Sequence, residues 1–243
     1  MNYSYIDTEP ACVPYLSSAY IDSRCGELVR KFDPKAALGL RPLNIEQFIT
    51  GFLGLRLEFE HLSSDHSVLG AAVFADGELP VYDRERGSAV YRRVREDSVF
   101  IDPFLTRAGK NNLYRFTLAH EAGHALWHGM YQRARLRAGK TIKPYLSCER
   151  QNVTSAGADT DRLSDRRSLL EYQANRSAAA LLMPESAINK LVSSFGEYRT
   201  TDEIADLVIF IAGACRVSDK AAACRLKQLG LISESGEREK ILA

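Results

Sequence analysis

A chain of 243 residues, 45% hydrophobic and 26% charged, carries enough apolar material for one sizeable core or two small ones, which excludes a wholly disordered protein. Lys and Arg number 32 against 31 Asp and Glu, so a formal charge of +1 gives no whole-molecule attraction to nucleic acid or anionic lipid. The five cysteines, Cys12, Cys25, Cys148, Cys215 and Cys224, are scattered, form no C-x-x-C pair, and read as the reduced thiols of a cytoplasmic protein.

The first twenty residues have neither a basic start nor an unbroken apolar stretch, so no secretory signal is expected. A helix is predicted from Ala19 to Phe32, stopped at Asp33-Pro34 because proline disfavours helical backbone in the residue before it. Asn44, with Gln47 three residues on, starts a short helix that ends at Gly54. From Leu55 to Glu60 the period is two, which predicts a half-buried strand. Strands at 68–75 and 78–83 flank Asp76-Gly77, a two-residue hairpin signal, with Pro80 confining the second to an edge. Ser98 to Asp102 adds a strand stopped by Pro103. A small, mostly antiparallel sheet followed by helices is the α+β pattern.

Asn112 is placed to cap a helix from Leu113 to His128, with Gly129 as its stop. On this helix lies His120-Glu121-Ala122-Gly123-His124, an H-E-x-x-H. Residues four apart project from one helix face, so both imidazoles can bind one ion while Glu121 stands beside it as a base. The alternative is two core histidines and an exposed glutamate. His128 lies eight residues, about 12 Å along the axis, from His120, too far for one tetrahedral ion. It is left as a pocket residue, a partner to a ligand, or simple packing. The extended H-E-x-x-H-x-x-G-x-x-H pattern fails at Trp127 and Met130.

The segment from Gly129 to Leu163 reads as a long, initially basic connection, either a lid or docking arm or a solvated loop, with Asn152 to Gly157 flexible in composition. A second helix carries Leu169-Leu170-Glu171-Tyr172-Gln173-Ala174-Asn175. Glu171 and Asn175 share a face, where Glu171 can supply a third ligand and Asn175 can hold a ligating imidazole. Ala174 and Ala178 are small enough to admit another helix. Ser168-Leu169-Leu170-Glu171 also fits a capping box, which would make Glu171 a cap instead, and spacing alone does not choose. The longest apolar run, Ile204 to Cys215, contains Asp206 and falls short of the ~20 residues of a membrane span, so no membrane segment is expected. Thr200 with Glu203 opens a helix to about Cys215, and Ser218 caps another to Leu229. These two are helix-turn-helix-like, with Lys220, Arg225 and Lys227 available to phosphates. Arg216 stands in place of the turn glycine and Ala222 in place of a bulky anchor, so DNA binding is not expected.

RFTLAHEAGHALWH followed by EYQAN and ALLMP resembles the ImmA/IrrE family of intracellular zinc metallopeptidases, over about Leu43 to Pro184, with a weaker echo in RVSDKAAACRLKQLGLI. The resemblance implies a zincin-like fold, zinc on His120, His124 and Glu171, and Glu121 as the catalytic base. It also implies a protein substrate, often a helix-turn-helix repressor. Ser177 departs from the family's aromatic residue at that place. The expected organisation is an N-terminal helical segment at 1–42, a peptidase domain at 43–190 and a helical region at 191–243. His128, Tyr131 and Tyr145 are the candidates for supporting an oxyanion. The competing reading is a non-proteolytic regulator with a structural metal and C-terminal helices that bind DNA or a repressor.

Overall fold

The computed structural model describes residues 4–5, 14–140, 143–150, 166–198 and 200–233. In chain order the elements are β1 (Ser4–Tyr5), β2 (Pro14–Tyr15), α1 (Ser18–Phe32), α2 (Pro34–Ala37) and α3 (Ile45–Gln47), the last running into a π-helical turn at Phe48–Phe52. Then come β3 (Arg56–Phe59), β4 (Val68–Val73), β5 (Gly77–Asp83), β6 (Ser88–Val94), β7 (Ser98–Ile101), a 3-10 turn at Pro103–Thr106, and α4 (Asn111–Arg137). The rest is β8 (Tyr145–Glu149), α5 (Arg166–Leu182), α6 (Glu185–Phe195), α7 (Thr201–Cys215) and α8 (Asp219–Gln228).

Helix α1 begins one residue before the expected Ala19, with the Ser17 hydroxyl accepting from the Tyr20 N–H at 3.2 Å, and buries Ile21, Cys25 and Val29, one residue per turn. Asp33 ends it and caps α2 by accepting from the Lys35 and Ala36 N–H groups. The Asn44 cap and the Thr200–Glu203 capping box form where the sequence places them. The main sheet has the order β3-β7-β4-β8. Its β3–β7 pair is parallel and the others antiparallel, so the expected mostly antiparallel α+β fold is what forms.

Two connections differ from expectation. Asp76-Gly77 joins β4 to β5 without making them a hairpin, because β4 pairs with β7 and β8 on its two edges while β5 pairs with β6. The tight turn is at Asp83, whose carboxylate accepts from the Glu85 and Arg86 N–H groups at 2.9 and 3.1 Å. Helix α4 passes through Gly129 and continues to Arg137, and Asn112 lies inside its first turn, donating to the Val217 carbonyl at 2.9 Å. The stop is Gly139, in left-handed backbone at φ +70°, with the Lys140 N–H closing on the Arg135 carbonyl. Arg133, Arg135 and Arg137 are thus helical residues, not loop. Strands β6 and β8 and helix α6 had no clear sequence signal. The Asn152 to Gly157 stretch lies outside the described residues.

The sheet separates two layers. The β5–β6 hairpin covers one face, burying Ala71, Val73, Phe100 and Tyr145. Helix α4 covers the other, and one apolar cluster there draws on residues from Leu16 to Ile232. Within it Asp22 of α1 accepts from Arg176 of α5 and from Arg225 of α8, the latter at 2.9 Å, while Arg225 also donates to the Met183 carbonyl at 3.0 Å. All three side chains are buried, so α1, α5 and α8 are locked by charge as well as packing. Arg225 is therefore not among the cations available to phosphates. Arg216 takes the left-handed conformation at φ +52° between α7 and α8, the geometry that glycine would adopt there without strain. Among the described residues no helix is long and apolar enough to cross a membrane.

Candidate metal centre

The site lies where α4 crosses α5. The helices approach closely because Gly123 has no side chain: a methyl there would meet the Ser177 Cβ at 2.9 Å and the Ala174 Cα at 3.1 Å. Ala174 and Ala178 are both fully buried at this crossing. Ser177 donates to the Gln173 carbonyl at 2.7 Å and accepts from the Trp127 indole at 2.6 Å, which ties α5 to α4 at the crossing.

This crossing brings His120, His124 and Glu171 together, with ligand atoms within 4.8 Å of one another. The two Nε2 atoms are 3.0 Å apart, His120 Nε2 is 3.3 Å from Glu171 Oε2, and His124 Nε2 is 3.7 Å from Glu171 Oε1. Donors on a tetrahedral ion with bonds of 2.0–2.1 Å stand about 3.3 Å apart, which these separations bracket. Ser168 and Glu171 both lie inside α5 (Arg166–Leu182), so Ser168 is not an N-cap and the S-x-x-E sequence does not form a capping box.

Hydrogen bonds behind the histidines set their tautomers. His120 Nδ1 faces the Asn175 Oδ1 at 2.9 Å, an acceptor, so Nδ1 carries the proton and Nε2 keeps its lone pair. His128 is fully buried, and its Nε2 donates to the Gln173 Oε1 at 2.9 Å. Burial holds His128 down at about 4, so its ring is neutral and its Nδ1 accepts from the His124 Nδ1 at 2.8 Å. Burial, followed by the neighbouring His120 and His128, likewise keeps His124 well below the usual histidine range. Two imidazole lone pairs and a carboxylate thus converge on one point. Such a set repels itself unless a cation sits among it.

Glu121 is fully buried, and among the described residues neither carboxylate oxygen has a hydrogen-bond partner. Burial, and then the charge of Glu171, push it well above the ordinary carboxylate range. Its carboxylate occupies the space left by Gly70 of β4, where a methyl would collide with Glu121 Oε1 and come within 3.0 Å of its Cδ and of the Thr117 methyl. A bulge between Val68 and Gly70 turns Leu69 and Gly70 both toward α4. Opposite Gly70 in the register stands Cys148 of β8, also fully buried.

Of the oxyanion candidates, His128 is engaged behind His124, and Tyr145 packs on the hairpin side of the sheet, away from α4. Tyr131 packs with Leu169 and Leu170. Gln173, Gly70 and Cys148 are the site residues that sequence reasoning missed. An isolated glycine inside the apolar run Val68 to Val73 was the one usable signal, since it marks a bulge or a close approach. Residues 110–227 match the profile of a peptidase family described as the IrrE N-terminal-like domain. No curated protein matches the chain.

Proposed function

With an IrrE N-terminal-like domain of a metallopeptidase family at residues 110–227, we propose that this chain is a zinc-dependent endopeptidase that cleaves a peptide bond in a protein substrate. The observation that carries the reading is the convergence of His120 Nε2, His124 Nε2 and Glu171 beside the unpartnered, buried carboxylate of Glu121. Two imidazoles and one carboxylate, with a position left open, are the donor set of a catalytic zinc site.

His120, His124 and Glu171 would hold the ion. When bound, zinc supplies a Lewis acid that acidifies water and polarises the scissile carbonyl. Asn175 and the His128–Gln173 pair orient the two imidazoles so that their lone pairs face inward. Glu121 is the general base: it takes a proton from the attacking water at one carboxylate oxygen and hands it to the leaving nitrogen. Burial gives it a higher proton affinity than an exposed glutamate, which suits both halves of that transfer. A helix-turn-helix repressor is the substrate class that the family resemblance favours. DNA binding by this chain itself is disfavoured because Arg225 is spent in the core.

The test is Glu121→Gln, which keeps the shape and removes the base. Zinc content should stay at the wild-type level. Cleavage of a proteome-derived peptide library, read by mass spectrometry, should fall by about 100-fold or more. Undiminished cleavage would remove Glu121 from the mechanism.

A further inference from the structure

The described residues contain a second group of convergent donors, and the peptidase reading leaves one of its members unused. A ring nitrogen of His120, a carboxylate oxygen of Glu121 and the sulfur of Cys148 lie within 4.8 Å of one another, all three side chains buried. Cys148 reaches this place from a different element, β8, at the register position opposite Gly70. Gly70 has no side chain, so nothing from β4 separates the thiol from the pocket that the Glu121 carboxylate fills. Among the described residues both carboxylate oxygens there are without hydrogen-bond partners. The other buried thiols have different surroundings: Cys25 stands beside Asp22 and Ser177, and Cys215 beside Arg115.

We propose that Cys148 is a fourth, removable ligand of the metal centre, giving the chain a closed, latent state in addition to the open one. The inference rests on the zinc reading above and deepens it. A catalytic zinc keeps one position for water, whereas four protein ligands make a closed site, and a thiolate is a soft donor that zinc accepts readily. The Cys148 sulfur comes within 4.8 Å of His120 and Glu121 donors but does not join His120, His124 and Glu171 as a set at that distance, so closing the site brings it toward the ion from beside Glu121. Closing the site exchanges the S–H bond for a sulfur–metal bond and releases the proton to solvent. Sulfur then occupies the position that water needs next to Glu121. Opening reverses both steps and requires no oxidant. Strand β8 carries the thiol at the end of the sheet order, on an element separate from the two helices that hold the other ligands.

The experiment loads the full chain with zinc and measures X-ray absorption, and separately loads it with cobalt(II), whose thiolate complexes show a sulfur-to-metal charge-transfer band in the near ultraviolet. The expected wild-type result is a sulfur contribution at about 2.3 Å, up to one scatterer per zinc according to the closed fraction, beside nitrogen and oxygen at about 2.0–2.1 Å, together with the charge-transfer band. Cys148→Ser and Cys148→Ala should each keep one cobalt per chain and lose the band. The wild-type zinc spectrum needs no variant and decides the matter even if both substitutions impair folding. Stoichiometric metal with a nitrogen and oxygen shell alone would overturn the thiol ligand and leave the metal centre standing. A wild-type chain that binds neither metal would overturn both.

Discussion

Replacing Gly70 by alanine tests the placement of the base without altering His120, His124 or Glu171. The added methyl would collide with Glu121 Oε1 and lie 3.0 Å from the carboxylate carbon, whereas ordinary contact begins at 3.4 Å. Glu121 is fully buried, and the Thr117 methyl at 3.0 Å closes one side, so the carboxylate has little room to swing. Its oxygen must retreat by about 1 Å, and a catalytic group misplaced by that much loses about 100-fold in rate. Overpacking of this kind also costs about 1–3 kcal/mol of stability. The nearest neighbours of the new methyl are Glu121 and Thr117 rather than His120, His124 or Glu171, so zinc content should be unchanged. The assay pairs metal analysis with library cleavage and a urea melt. Retained zinc, a folded chain and a roughly 100-fold loss of cleavage are expected. Wild-type cleavage by a folded Gly70→Ala chain would show that the Glu121 carboxylate does its work elsewhere, and would refute the reasoning.

Three other outcomes follow from the same geometry. Asn175→Ala removes the acceptor that fixes His120 Nδ1 and should weaken zinc binding by about 10–100-fold in chelator competition, with Asn175→Asp restoring it. In the metal-free protein His128 is held at about 4 against an ordinary 6.5. The unfolded chain therefore binds the extra proton first, and stability is lost as pH falls from about 6.5 toward 4. Between pH 7 and pH 5 this should cost wild type about 2 kcal/mol more than His128→Gln in urea unfolding, a comparison in which the opposite effect of the raised Glu121 cancels. Equal losses in the two proteins would show that His128 is not buried neutral. Asp22→Ala strands Arg176 and Arg225 in the core and should cost about 3–5 kcal/mol, part of it recovered by adding Arg225→Met.

Much of the site was legible because its chemistry is written in helical spacing. His120 and His124 share a face by being four apart, and the same spacing on α5 sets Asn175 beside the carboxylate of Glu171. What local sequence could not supply was the partner across the sheet. Gly70 and Cys148 meet through a bulged antiparallel pairing between strands separated by more than seventy residues, and β8 has too little periodicity to announce itself. The end of α4 was misread for a related reason. Gly129 is a usable stop only if the chain turns there, and instead Arg133 of the next turn packs its guanidinium against that glycine while bonding Glu96 at 2.9 Å. Tertiary contacts thus carried the helix through a local stop signal. Arg225 looked like a phosphate contact because a single cation in an amphipathic helix gives no sign that Asp22, some two hundred residues earlier, will bury it.

The central claim is that His120, His124 and Glu171 hold one zinc ion. The most direct measurement is elemental analysis of the purified full chain beside Glu171→Ala, with both shown to be folded. The account predicts one zinc per wild-type chain and a large loss in the variant. A folded wild-type chain without stoichiometric metal, or a variant that keeps all of it, would contradict the assignment.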